Sequence, residues 1–175
     1  PEEFNRQVVS KVTRWHFAPT DVSRDNLLAE RVKPATITVT GNTVIDALFW
    51  VLTRIDADSE RRVTIEVMLQ ESLSFQWKDE KFVLVTGHRR ENFGDGFLQI
   101  CSAIQELASL YPKVHFVYPV HLNPNVLDPV RRMLGGIQNI HLLAPLSYEA
   151  FIFILSQCYL VLTDSGGVQE EAQLS

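Results

Sequence analysis

From residue 82 onward, the spacing of apolar positions changes in a regular order. FVLVT (82–86) is a continuous apolar run of strand length. GFLQICSAIQELASLY (96–111) then places apolar residues three and four apart, as one face of a helix requires. The alternation repeats. KVHFVYPV (113–120) predicts a second strand, and NVLDPVRRMLGG (125–136) a short helix stopped by Gly135 and Gly136. IHLLA predicts a third strand, SYEAFIFILSQ (147–157) a third helix, YLVLT (159–163) a fourth strand, and GGVQEEA (166–172) the opening of another helix. Strands separated by helices need crossover connections and hence form a parallel sheet. Uninterrupted apolar runs fit strands covered on both faces. The expected fold class is α/β with a Rossmann-like parallel sheet.

The first third is patterned differently. WHFA (15–18) and ITVT (37–40) predict short strands. PTDVSRDNLLAE (19–30) predicts a helix capped at Thr20 or Asp21, and NTVIDALFWVLTRI (42–55) a strongly apolar helix. The highly charged stretch 56–80 predicts a helix without fixing its ends. This change of composition places a domain boundary near residues 50–60. The sequence stops soon after the last helix begins, so a truncated domain is expected.

Composition narrows the choice of partner. The net charge is −5 and there is no long basic run, so nucleic acid is not expected as a partner. No apolar window approaches the roughly 20 residues that span a bilayer, so no membrane contact is expected. The charged opening PEEFNRQVVSKVTRW lacks the apolar stretch of a signal peptide. Cys101 and Cys158 sit in apolar surroundings without CxxC spacing, which fits reduced core thiols and a cytoplasmic location. No HxxxH, HExxH or paired CxxC occurs, so neither a metal nor another cofactor is expected. Ser165 lies in DSGG rather than in a GxSxG elbow, which speaks against acyl transfer.

Two polar clusters follow strands of the predicted sheet, at the edge where open parallel sheets bind ligands. After YLVLT come Asp164, Ser165, Gly166 and Gly167, then a helix. Glycines admit a ligand close to the backbone, and the first helical N–H groups favour an anion. This is a candidate phosphate or diphosphate cradle, with Glu171 one turn on, placed to accept hydrogen bonds from ribose hydroxyls. On its own the SGG run fits a tight strand-to-helix turn capped by Asp164 or Ser165 equally well. After FVLVT come Gly87, His88, Arg89, Arg90, Glu91 and Asn92. His88 can donate a hydrogen bond or a proton near neutral pH, and the arginines suit phosphate oxygens. The alternative is a solvated loop with Arg–Glu pairing. His121 stands at a third strand end, as readily structural as functional. His16, His115 and His141 are expected in the core. Phe151 is either helix core or a side chain facing a bound base.

Five stretches together resemble the bacterial non-hydrolysing UDP-N-acetylglucosamine 2-epimerases: HFAPTDVSRDNLL, VTGNTVIDAL, TGHRRENFGDGF, FVYPVHLNPNV and LTDSGGVQEEA. They cover most of the chain. The resemblance implies two Rossmann-like domains facing a cleft, the GT-B architecture, present here only in part. Residues 1–55 would be the end of the N-terminal domain and the hinge, and 56–175 a truncated C-terminal UDP-binding domain. The implied activity is interconversion of UDP-GlcNAc and UDP-ManNAc through elimination of UDP and readdition with inversion at C2, serving surface-polysaccharide synthesis. The full-length protein would be a homodimer.

By the same resemblance, His88 would contact the UDP phosphates and assist the leaving group. Ser165, Gly166 and Gly167 would hold the diphosphate, Glu171 the ribose and Phe151 the uracil pocket. Arg89 and His121 match the positions of a second, activating UDP-GlcNAc in some members.

Departures from the family pattern limit these expectations. The carboxylates that move the C2 proton match no residue here; Asp46, Glu91 and Asp95 are not assigned that role, so the chain alone is expected to be inactive. Leu146 replaces a frequent Gln beside the base. Arg31 replaces a frequent Gly, which removes an easy left-handed helix stop. After QEEA the sequence reads Gln173-Leu174-Ser175 rather than the family's turn. A non-catalytic UDP-sugar binding module, a hydrolysing 2-epimerase and a glycosyltransferase of the same fold are the alternatives; the GHRREN run speaks against the last.

Overall fold

The computed structural model describes residues 2–87 and 95–172. The chain divides into two compact units, Pro1–Ala47 and Leu48–Ser175.

In the first unit, helix α1 (Glu2–Val12) precedes strand β1 (His16–Ala18), helix α2 (Asp21–Ala29), a 3-10 turn (Pro34–Thr36) and strand β2 (Ile37–Val39). The two strands pair in parallel, His16 beside Ile37 and Ala18 beside Val39. Thr20 rather than Asp21 caps α2: its hydroxyl accepts the Ser23 N–H at 3.1 Å. Arg6 bridges Glu3 and Glu30 and so ties α1 to the end of α2.

Arg31 corrects the sequence expectation about this helix end. It takes the left-handed conformation itself, with φ 66°. Its N–H donates to Leu28 O at 2.9 Å, and the Val32 N–H donates to Leu27 O at 3.0 Å. Both bonds of a Schellman stop are therefore made without glycine. They offset a left-handed strain of roughly 1–2 kcal/mol.

The second unit opens within helix α3 (Thr43–Ala57). Leu48, Val51 and Ile55 form its buried stripe. The charged stretch resolves into helix α4 (Ser59–Ser72), capped by Asp58, and an irregular descent that buries Leu73, Phe75 and Trp77. Only Ile65 and Leu69 of α4 are buried, which is why charge dominates its sequence. Then follow β3 (Phe82–Thr86), α5 (Asp95–Leu110), β4 (His115–Pro119), α6 (Pro124–Leu134), β5 (Ile140–Leu143), α7 (Tyr148–Gln157), β6 (Leu160–Thr163) and α8 (Gly166–Ala172).

The four strands are parallel, in the order β5-β4-β3-β6. Alternate residues of β3 serve opposite faces. Phe82 and Leu84 join a core with α3, α4 and α7, whereas Val83 and Val85 join one with α5 and α6. The chain steps outward from β3 to β5 and then returns past β3 to form β6. Right-handed crossovers then put α7 on the face opposite α5 and α6, as observed.

Gly135 ends α6 for a steric reason. A Cβ there would lie 2.3 Å from the Arg131 carbonyl oxygen, which is backbone and cannot swing away. Gly136, with φ 82°, completes the reversal.

Near the starts of the strands, His115 and His141 form one hydrogen-bonded row. Ser74 Oγ lies 3.2 Å from His141 Nδ1, His141 Nε2 2.9 Å from His115 Nδ1, and His115 Nε2 3.3 Å from Glu80. With both rings neutral, each group donates to the next toward the Glu80 carboxylate. Phe75 stacks on His115 at 4.0 Å. Burial, and then a charge on His115, push the His141 imidazole down to about 4, against the pull of Glu80.

Two outcomes follow from these contacts. The unfolded imidazole titrates near 6.5 and the folded one near 4, so protons bind preferentially to the unfolded chain between these values. Stability present above pH 6.5 is lost as pH falls toward 4, by up to about 3 kcal/mol. Denaturant titrations across that window should show the loss, and His141→Gln should flatten it; an unchanged slope would remove His141 as its source. Gly135→Ala should cost the second unit about 1–3 kcal/mol in the same measurement, because the α6 stop must shift to admit the methyl group.

Candidate functional site

Strand order reverses between β3 and β6, and such a switch point leaves a crevice beyond the carboxyl ends of the strands. The two polar loops singled out in the sequence leave from these two strands. Their register is Val83 beside Leu160, through to Thr86 beside Thr163. Thr86 Oγ1 donates to Thr163 Oγ1 at 2.6 Å, and the Asp164 N–H reaches Thr86 O at 3.3 Å. The pairing thus continues to the rim. One strand further, buried Tyr118 donates its hydroxyl to Gly87 O at 2.5 Å, at the residue that precedes His88 in sequence. Burial above all raises the Tyr118 phenol well beyond its usual range, so it remains a donor at any ordinary pH.

After β6 the backbone donors divide into two sets. The Ser165 N–H donates to Thr163 Oγ1 at 3.0 Å. The Val168 N–H approaches Ser165 Oγ at 3.5 Å, and the Gln169 N–H donates to Ser165 O at 3.1 Å. Ser165 is therefore the cap of α8, rather than Asp164, and its hydroxyl proton is left to donate outward. The Gly166 and Gly167 N–H groups make no hydrogen bond among the described residues, and both glycines are exposed. A Cβ at Gly166 would meet nothing within 4 Å, and one at Gly167 only Ser165 Oγ at 3.9 Å. Neither has positive φ. The packing of this chain does not demand glycine at either position, and the lack of a side chain leaves the backbone open to close approach.

Glu171 is buried in α8, at 8% exposure, and its carboxyl makes no hydrogen bond among the described residues. Burial first, and neighbouring Glu170 second, raise its carboxyl above the usual range. The first residue of α7, Tyr148, is raised by burial and by Glu171, so the two groups feel each other across the rim. Such a carboxyl is poised to accept from hydroxyls and poorly suited to an anion. Phe151 is half-buried and leans, with Leu146 and Ala172, on the core that holds α7. His121 lies exposed beyond β4, where its Nδ1 accepts the Asn123 N–H at 3.1 Å and shapes the entry to α6.

His88 and Arg89 lie outside the described residues. A cavity of about 250 Å³ opens beside the switch point, with Thr86, Gly87, Thr163 and Asp164 at its polar end and Ile104 and Leu162 in its wall. Among the described residues there is no cluster of three metal-ligating side chains and no helix long and apolar enough to cross a membrane. Sequence reasoning missed Tyr118, Thr86 and Thr163. The threonines end two predicted strands, but only the register shows that they meet.

Comparison with known proteins bears on this geometry. The profile of a family described as UDP-N-acetylglucosamine 2-epimerase matches residues 1–175. A Yersinia pestis protein named UDP-N-acetylglucosamine 2-epimerase is 53% identical over 172 residues, covering 98% of this chain and 45% of that protein. A solved UDP-GlcNAc 2-epimerase from Neisseria meningitidis, bound to UDP-GlcNAc, superposes with a TM-score of 0.87 at 43% identity, over 98% of this chain and 45% of its own. A co-structure of S. aureus MnaA with UDP gives a TM-score of 0.78 at 36% identity, over 98% of this chain and 43% of that one. The chain spans about 45% of the length of the curated relatives it matches. The fold is that of GT-B type 2-epimerases, represented in part, and the chain belongs to the UDP-N-acetylglucosamine 2-epimerase family.

Proposed function

We propose that this chain supplies the UDP-gripping part of an isomerase that interconverts UDP-GlcNAc and UDP-ManNAc. The diphosphate sits on the open Gly166 and Gly167 N–H groups and the Ser165 hydroxyl. Glu171 accepts from the ribose hydroxyls, and the base lies toward Phe151 and Leu146. The observation that carries this is the pair of uncommitted amides at the switch point, in a fold whose relative holds UDP-GlcNAc at 43% identity. C2 inversion proceeds by removal of the C2 proton with loss of UDP to give a glucal, then return of UDP to C1 with a proton delivered to the opposite face of C2. Charge grows on the leaving diphosphate, and preset donors stabilise that charge without reorganising. His88 contributes a further donor or a proton to the leaving group. Arg89 and His121 serve a second UDP-GlcNAc as activator.

The carboxylates that move the C2 proton belong to the whole protein and are not assigned in this chain. That protein is a cytoplasmic homodimer needing no cofactor, and its product feeds surface-polysaccharide synthesis.

Calorimetric titration of the 175-residue chain with UDP should give a dissociation constant below about 1 mM. Ser165→Ala should weaken binding roughly tenfold, the scale of one hydrogen bond to a charged group. Glu171→Gln should weaken UDP binding but leave inorganic pyrophosphate binding unchanged, since only UDP carries a ribose. Incubation of the chain with UDP-GlcNAc should yield no UDP-ManNAc. UDP affinity insensitive to both substitutions would overturn the assignment of this turn, and release of free ManNAc by the whole protein would replace epimerisation with hydrolysis.

A further inference from the structure

The hydroxyl contacts under the rim carry one step more. Thr163 Oγ1 has two acceptor positions, and both are filled, one by the Thr86 hydroxyl at 2.6 Å and one by the Ser165 N–H at 3.0 Å. The second bond fixes the peptide plane between Asp164 and Ser165. That plane sets where Ser165 Oγ points and how the next two N–H groups are aimed. The first bond anchors Thr163 to the last residue of β3, and Tyr118 pins the Gly87 carbonyl one residue further along. Three hydroxyls, on β4, β3 and β6, therefore hold the exits of the two strands that flank the crevice. None of them is needed to close the sheet: the backbone ladder already pairs Thr86 with Thr163.

We propose that Thr163 is a positioning residue for the nucleotide grip. Held by Thr86, its hydroxyl takes the Ser165 N–H out of play. Gly166 and Gly167 then present their N–H groups together, in fixed relation to the strand that leads into His88. This deepens the diphosphate role proposed above for the Ser165 turn and rests on it. Preorganisation of this kind acts on affinity by removing the cost of ordering the turn when the ligand arrives.

Thr163→Val keeps the shape and the β-branch but offers no acceptor; Thr163→Ser restores the hydroxyl. Each variant of the 175-residue chain is compared with the parent for UDP affinity, thermal midpoint and hydrogen exchange at the Ser165 amide. Thr163→Val should weaken UDP binding about tenfold and speed Ser165 exchange by a similar factor, the scale expected when one half-buried donor loses its partner. Thr163→Ser should return both to within about twofold of the parent, leaving less than the loss of one hydrogen bond. Thr86→Val should give part of the effect, and the double variant no more than Thr163→Val alone, because the two hydroxyls act in series.

Parent-like UDP affinity in Thr163→Val would overturn the proposal. So would an affinity loss that merely follows a fall in thermal midpoint, or a failure of serine to rescue. If the parent itself fails to bind UDP, the diphosphate assignment falls and Ser165 exchange decides the positioning role alone: faster in Thr163→Val and restored in Thr163→Ser supports it, unchanged in both overturns it.

Discussion

Parallel pairing of β6 against β3, in the register that sets Thr163 beside Thr86, joins two loops whose strand ends lie 77 residues apart in sequence. A slip of one residue would turn every β6 side chain to the other face of the sheet. Val161, which leans on the α3–α4–α7 core, would exchange places with Leu162, which leans on the α5–α6 core. Leu160 is exposed and the rest of β6 half-buried, so the ladder to β3 and these two contacts together hold the register, and the register delivers the rim chemistry. Packing and site are one constraint viewed from two ends of the same strands.

The two ends of the sheet also treat polar groups differently. Near the strand starts, the Ser74–His141–His115–Glu80 row satisfies itself, each ring nitrogen finding a partner within the row. It stabilises the fold and offers nothing outward. Near the strand ends, bonding stops short of completion. Ser165, Val168 and Gln169 commit their amides while Gly166 and Gly167 do not, and the buried Glu171 carboxyl has no partner among the described residues. The two glycine amides are exposed and so remain open to bond another molecule at the switch point.

Much of this was legible in the sequence because local physics wrote it there. Each strand of the second unit is an uninterrupted apolar run, and each crossover helix carries its own stripe, so element type and order followed directly. What escaped depended on distant partners or on compensation. Helix α1 has no buried residue to advertise it. The left-handed Arg31 runs against residue preference and is held by two backbone bonds that no pattern encodes. His141 was legible as a core residue, whereas His115 is only half-buried, and their joint hydrogen-bonded row needed adjacent strands in a known register. At the rim, Ser165, Gly166, Gly167 and Glu171 stood out by type and spacing, and the structure groups them on one turn and helix. Thr86, Thr163 and Tyr118 did not, because a strand-end hydroxyl looks ordinary until its neighbour across the ladder is known.

A crystal structure of this chain with UDP tests most directly whether the switch point is where a diphosphate is held. The pyrophosphate oxygens should lie about 3 Å from the Gly166 and Gly167 nitrogens, hydrogen-bond distance for an N–H donor. The ribose hydroxyls should lie within reach of Glu171, and the Ser165 N–H should still be donated to Thr163. A nucleotide seated away from the exits of β3 and β6, with those two amides still facing solvent, would contradict it.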